Sequence, residues 1–333
     1  MKNKNYYYNI IITSICTLIL LVSCNGVSKS KVEEKTSKEN SDLIKIDTTK
    51  IPNDKFGVAV RYGRELMLNT AYYIGPNGIN GKYLGNKMNC SNCHQEAGTK
   101  LYSLNLIASH NNYPQYRPRE GRVLTLAERV NNCIMRPHSG KPLPLDSKEM
   151  VAFLSYFKWI NTFATKGEKF KGEKNLSVSF PKVAASSEKG GVLFIQHCLR
   201  CHGANGEGYM RPDGITYLYP PLWGKYGYQP GSSMHRIIKQ AQWLKSNMPQ
   251  DKATWQKPIL TDEEALDLAA FVNDDKIHSR PNPKSFDYPH IEEKAIDYGV
   301  GPFIDPFSES EHKFGPFQPI IDYWNKRGLK PIY

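Results

Sequence analysis

Cys90-Ser91-Asn92-Cys93-His94 and Cys198-Leu199-Arg200-Cys201-His202 are two copies of one pattern, Cys-x-x-Cys-His, set 108 residues apart in a chain of 333. The pattern attaches c-type haem: two thiols add across the vinyl groups of the porphyrin, and the histidine that follows ligates the iron. A single Cys-x-x-Cys pair also suits zinc or a redox disulfide. Two copies in similar surroundings set those readings aside. They point to two covalently bound haem c groups, held through Cys90, Cys93, Cys198 and Cys201, with His94 and His202 on the iron.

The surroundings of each motif predict a mainly α fold: two class I cytochrome c domains in tandem, with an irregular C-terminal tail. Each such domain is a helix leading into the haem motif, a loop region, a distal ligand and a closing helix. In the second half Ser187 is placed to cap a helix running through Gly190, Gly191, Leu193 and Phe194 into the motif. Pro220-Pro221-Leu222, a helical stretch around Met234 to Leu244, and Asn247-Met248-Pro249 follow. Thr261-x-x-Glu264 then reads as a capping box opening a closing helix with Leu266, Leu268, Ala269 and Phe271 toward a core. The first half repeats the order. Lys55 to Tyr73 reads as a helix, Pro114 follows His94 by 20 residues as Pro220 follows His202 by 18, and Asp146-x-x-Glu149 opens a helix carrying Met150, Phe153, Leu154, Phe157 and Trp159.

The N-terminus reads as an export signal. Lys2 and Lys4 precede an apolar stretch, Ile10 to Val22, that is short for a membrane span. It ends in Leu21-Val22-Ser23-Cys24, which resembles the bacterial lipobox and implies cleavage before Cys24 and lipid on it. Residues 24–52, rich in Ser, Lys, Glu, Asn and Asp, read as a flexible tether. The expected organisation is therefore a signal peptide over 1–23, the tether, a first domain over 53–165, a linker over 166–184, a second domain over 185–280, and a tail over 281–333 packed on both. Loss of residues 1–23, with their two lysines and no acid, lowers the formal charge from +12 to +10. That excess on an exported haem protein suits small anions or an acidic electron-transfer protein, and argues against nucleic acid as a partner. The expected location is the periplasmic side of a bacterial membrane, anchored through Cys24.

The distal ligands come from spacing. Met248 lies 46 residues after His202 and 13 before Thr261, which suits a distal thioether. Of the seven cysteines only Cys133 falls outside both haem motifs and the N-terminal segment, and it stands 13 residues before Asp146. It therefore occupies the distal-ligand slot of the first domain, with Met135, His138 and His110 as competitors and a buried inert thiol as the alternative. Thiolate makes iron electron-rich, and methionine raises the potential. Such a pair would pass electrons from a low-potential His94/Cys133 haem to a high-potential His202/Met248 haem.

Asn132-Cys133-Ile134-Met135-Arg136, Ser139-Gly140-Lys141-Pro142-Leu143-Pro144 and Ser147-x-Glu149-Met150 resemble the catalytic-domain stretch of dihaem thiosulfate dehydrogenases. Tyr219-Pro220-Pro221-Leu222-Trp223-Gly224, Tyr228-x-x-Gly231-x-x-Met234-x-Arg236, Asn247-Met248-Pro249 and the tail segments Asp305-Pro306-Phe307-Ser308 and His312-Lys313-Phe314-Gly315-Pro316-Phe317 are similar to the same family. The resemblance covers roughly residues 54 to 320. It implies the couple between two thiosulfates and tetrathionate plus two electrons, with Cys133 as ligand and covalent way-station for sulfur. It also implies arginines that hold the sulfur oxyanions. Arg119 and Arg122 are the first choices, with Arg136 beside Cys133 and Arg117 upstream.

The chain departs from that family at Pro137, where a substrate-contacting serine is expected, with His138 or Ser139 as replacements. The resemblance implies that some relatives exchange lysine for methionine at the second iron, and here the nearest lysine is Lys245. Direction of turnover stays open on these residues, as do a non-catalytic dihaem carrier and a sulfur-transfer cytochrome subunit.

Overall fold

The computed structural model describes residues 43–281 and 287–333, so the expected signal peptide and Cys24 lie outside the described residues. Residues from Ile44 onward form one compact unit. Among the described residues no helix is long and apolar enough to cross a membrane.

The first domain opens with α1 (Lys55–Leu68), capped by Asp54, whose carboxylate accepts the Gly57 N–H at 2.8 Å. A short helical turn, Thr70–Ile74, continues it. A two-stranded ribbon pairs β1 (Gln115–Arg117) with β2 (Arg122–Leu124), antiparallel, Gln115 opposite Leu124. α2 (Leu126–Met135) follows, then α3 (Lys148–Ile160). The cap of α3 is Ser147, not Asp146: its hydroxyl accepts the Met150 N–H at 3.2 Å, while Glu149 instead accepts the Tyr62 hydroxyl at 2.8 Å. α1 and α3 cross at Gly63, where a Cβ would sit 2.1 Å from the Ala152 carbonyl oxygen. Around that crossing Val60, Leu66, Met67, Phe153, Tyr156 and Ile160 are buried.

The second domain repeats the device. α4 (Ser187–His197) is capped by Ser186 rather than Ser187, one residue earlier than expected. A two-stranded ribbon, β3 (Tyr209–Met210) with β4 (Tyr217–Tyr219), follows the haem motif. α5 (Ile237–Asn247) runs to Met248, and α6 (Asp262–Val272) starts at the full Thr261/Glu264 capping box. α4 and α6 cross at Gly190, where a Cβ would lie 2.0 Å from the Asp267 carbonyl oxygen. Only glycine permits either crossing.

Two segments differ from the expectation. Ile46 and Ile51 pack against the first core, so the stretch read as tether joins the folded unit before residue 52. The tail is not irregular throughout: it carries α7 (Glu309–Phe314) and α8 (Phe317–Lys326). Phe317, Ile320, Ile321 and Trp324, spaced on one helical face, enter the second core. Burying such side chains contributes roughly 1.5–3 kcal/mol each, which is why this segment is held. Asp305 and His312 fasten it: His312 bonds the Ile296 carbonyl through Nδ1 at 2.7 Å and Asp305 through Nε2 at 2.9 Å, and the Trp324 indole donates to Asp305 at 2.6 Å. Arg236 forms a buried ion pair with Asp297, whose other oxygen accepts the Ile238 N–H at 3.2 Å.

Candidate functional site

Both motif histidines are tied through Nδ1 to a backbone carbonyl: His94 to Leu104 at 2.5 Å and His202 to Pro220 at 2.9 Å. A ring held by Nδ1 keeps Nε2 as the lone-pair donor, and a bonded Nδ1–H makes that nitrogen a stronger ligand. Cys90, Cys93, Cys198 and Cys201 form no disulfide and lie on the turns that carry these histidines. The residues thus fit two covalently held haems. The acceptor for His94 is Leu104, ten residues on, so Pro114 is not the counterpart of Pro220.

Across from His94 stands Cys133, in the last turn of α2. The His94 ring and the Cys133 thiol are close enough to share a hydrogen bond. Burial alone would push this thiol up. Arg129, the His94 hydrogen bond and charge, and the more distant Arg136 outweigh burial and bring it down to about 7. Of the competing ligands, His110 is exposed, His138 is buried near His94 with Nδ1 3.2 Å from the Asn86 side-chain oxygen, and Met135 is half-buried with its carbonyl bonded by Gln229. Met248 is the C-cap residue of α5, its N–H bonded to Leu244 at 2.8 Å, and its side chain lies against the second core. Lys245 is engaged by Asp262 and the Ser177 carbonyl.

The arginines sort differently from the expectation. Arg122, with its side chain 57% exposed, pairs with Glu128 at 2.7 Å on the surface. Arg119 is inside, but its guanidinium donates to the Gly231 carbonyl, lies 3.4 Å from Asp287 and sits over the Tyr288 and Tyr298 rings. Arg136 is neutralised by Glu120 and, at 2.7 Å, by Asp287. Arg117 bonds Gln115 at 3.0 Å.

The arginine that acts most strongly on Cys133 is Arg129, one helical turn before it on the same face and in contact with Tyr113. A readable signal pointed there. Thr125-x-x-Glu128 is a full capping box, with Glu128 accepting the Thr125 N–H at 2.8 Å, and it starts the helix on which residues 129 and 133 are i and i+4. Pro137 brings no hydroxyl, and its carbonyl accepts the Asn86 amide at 3.0 Å. The Ser139 hydroxyl is buried with no partner among the described residues.

Comparison with known proteins agrees with this division. A family model for SoxA/TsdA cytochrome c domains matches residues 82–160, and one for cytochrome c matches residues 187–275. A thiosulfate dehydrogenase of Stutzerimonas stutzeri is 33% identical over 259 residues, covering 78% of this chain and 80% of that protein. One of Allochromatium vinosum is 31% identical over 239 residues, covering 69% and 82%. Among solved structures, thiosulfate dehydrogenase TsdBA of Marichromatium purpuratum in its as-isolated form superposes with a TM-score of 0.68 at 28% identity. That match covers 81% of this chain and 56% of that one.

Proposed function

Because the chain belongs to the thiosulfate dehydrogenase family of cytochromes c and carries two covalently bound haem c groups, we propose that it interconverts thiosulfate and tetrathionate at the first haem. His94 and Cys133 would hold the iron of the first haem, and His202 and Met248 that of the second. The bound haems supply one-electron acceptors in series, from the first domain to the second and on to a partner electron-transfer protein.

One observation carries this reading: Cys133 and Arg129 stand one turn apart on one face of α2, with the thiol facing the motif histidine and Arg129 the charge that acts most strongly on it. Joining two dianions through sulfur meets charge repulsion that a fixed guanidinium offsets where water is excluded. Arg129 holds the sulfonate end of thiosulfate. The Cys133 thiolate forms a bond to the sulfane sulfur with loss of two electrons, leaving an S-sulfonated persulfide on the cysteine. A second thiosulfate attacks that sulfane sulfur, tetrathionate departs, and the Cys133 thiolate returns. Tetrathionate reduction is the same sequence reversed.

The test is turnover of the purified holoprotein in both directions with artificial electron donors and acceptors. Activity in either direction that depends on Cys133 supports the reading. No turnover of either anion replaces it with a dihaem carrier, and dependence on a sulfur-carrier protein replaces it with a sulfur-transfer subunit.

The chain is exported and held at the periplasmic face of a bacterial membrane by lipid on Cys24. The lipobox-like ending and the polar stretch after it support this. Cys24→Ala should release soluble protein with both haems attached, measured by fractionation and haem stain. Unchanged membrane retention would exclude the lipid.

A further inference from the structure

The carbonyl that holds His94 belongs to a loop that the first domain does not keep in shape alone. Tyr102 and Leu104 take left-handed backbone conformations, φ +57° and +49°, which are costly for residues with side chains and persist only where neighbours over-determine them. Those neighbours come from the linker and the second domain. The Tyr102 N–H donates to Gly172 at 2.8 Å, and the Leu104 N–H to the Asn175 side chain at 2.9 Å. The Asn247 amide donates to the Tyr102 carbonyl at 2.9 Å and, with its other hydrogen, to Trp243 at 3.0 Å. One turn earlier on α5, the Trp243 indole donates to the carbonyl of Cys93, a haem-attaching residue, at 3.1 Å. Asn247 and Trp243 are 0% and 6% exposed. Cys93 and Leu104 pack against the second domain's core.

We propose that Asn247 and Trp243 are positioning residues for the first haem: from the second domain they set the His94–Leu104 hydrogen bond, and so tie the first haem's potential to the helix that ends at Met248. This rests on His94 as axial ligand and is independent of the substrate. A firmly bonded Nδ1–H makes the imidazole a stronger electron donor to iron and lowers its potential. Freeing the loop weakens that bond and raises the potential.

The test is a redox titration of the holoprotein, following each haem by its own absorbance and paramagnetic signal. Trp243→Phe keeps an aromatic ring at the position and removes the indole N–H. Asn247→Leu keeps the approximate volume and removes both donors. In Asn247→Leu the oxidised-to-reduced ratio of the first haem at a fixed potential should fall about tenfold, an upward shift of about 59 mV for one electron. Trp243→Phe should shift the first haem in the same sense by less and leave the second unmoved. An unchanged or lowered first-haem potential in both variants overturns the proposal. So does a shift confined to the second haem. If Asn247→Leu fails to hold both haems, Asn175→Ala, which frees the Leu104 N–H, takes its place under the same criteria. Absence of a thiolate-type signal in the wild type would count against Cys133 ligation instead, which separates the two failures.

Discussion

The sulfur proposed to ligate the second iron follows a helix, whereas the one proposed for the first lies within one. Met248 is the C-cap residue of α5, where the chain turns into an extended segment and the lysine of the last turn is held by Asp262. Cys133 sits in the last turn of α2, so the residue four positions back, Arg129, shares its face. The same helix pair, crossing at Gly63 in one domain and Gly190 in the other, frames both. One scaffold therefore places a thioether just past a helix in one half and a thiol beside an arginine within a helix in the other.

Exchanging the character of the two sulfurs is the strongest way to break this comparison. Cys133→Gly should lower thiosulfate oxidation by at least about a thousandfold, as removal of a covalent nucleophile does, with both haems still attached by haem stain. It should also remove the low-spin thiolate signal. Met248→Leu should keep that signal and slow electron exit more than substrate binding, read by single-turnover kinetics. Equal losses from both substitutions would mean that the halves are not specialised.

The arginines sharpen the contrast at the next level. Arg129→Gln should cost about a hundred- to a thousandfold in kcat/KM, the range for losing one preorganised charge-stabilising donor. Arg122→Ala should change it by less than about twofold, because exposed ion pairs contribute little. A large effect at Arg122 and none at Arg129 would return the anion site to the surface ribbon. The smallest effect compares the two capping boxes. Thr125→Ala and Thr261→Ala should each destabilise the fold by about 1 kcal/mol in denaturant unfolding. Only Thr125→Ala, at the start of the helix carrying Arg129 and Cys133, should also raise KM.

Much of the architecture was legible because its signals are local. The haem motifs span five residues, and the Thr261/Glu264 box closes within one helical turn. Closing-helix residues such as Phe153 and Leu266 declare their faces by period. Errors arose where one residue served as a ruler for another. Taking Asp146 as a cap made Cys133 and Met248 equidistant from their closing helices, whereas the true caps, Ser147 and Thr261, leave offsets of 14 and 13. Pairing Pro114 with Pro220 missed that His94 bonds Leu104.

The sequence by itself determined the number of haem attachments, their histidines, the order of helices, and that Cys133 is the one cysteine outside the haem motifs and the N-terminal segment. Only the tertiary structure decided which arginine acts most strongly on that cysteine and which contacts hold the tail. Arg136 is neutralised by Asp287, 151 residues away, and the loop behind His94 is braced by Asn247, 145 residues from its acceptor Tyr102. Covalent motifs and caps are written in neighbouring residues because their partners lie within one turn. The partner of a buried charge or a strained loop is whichever distant segment the packed core brings beside it, and no local pattern encodes that.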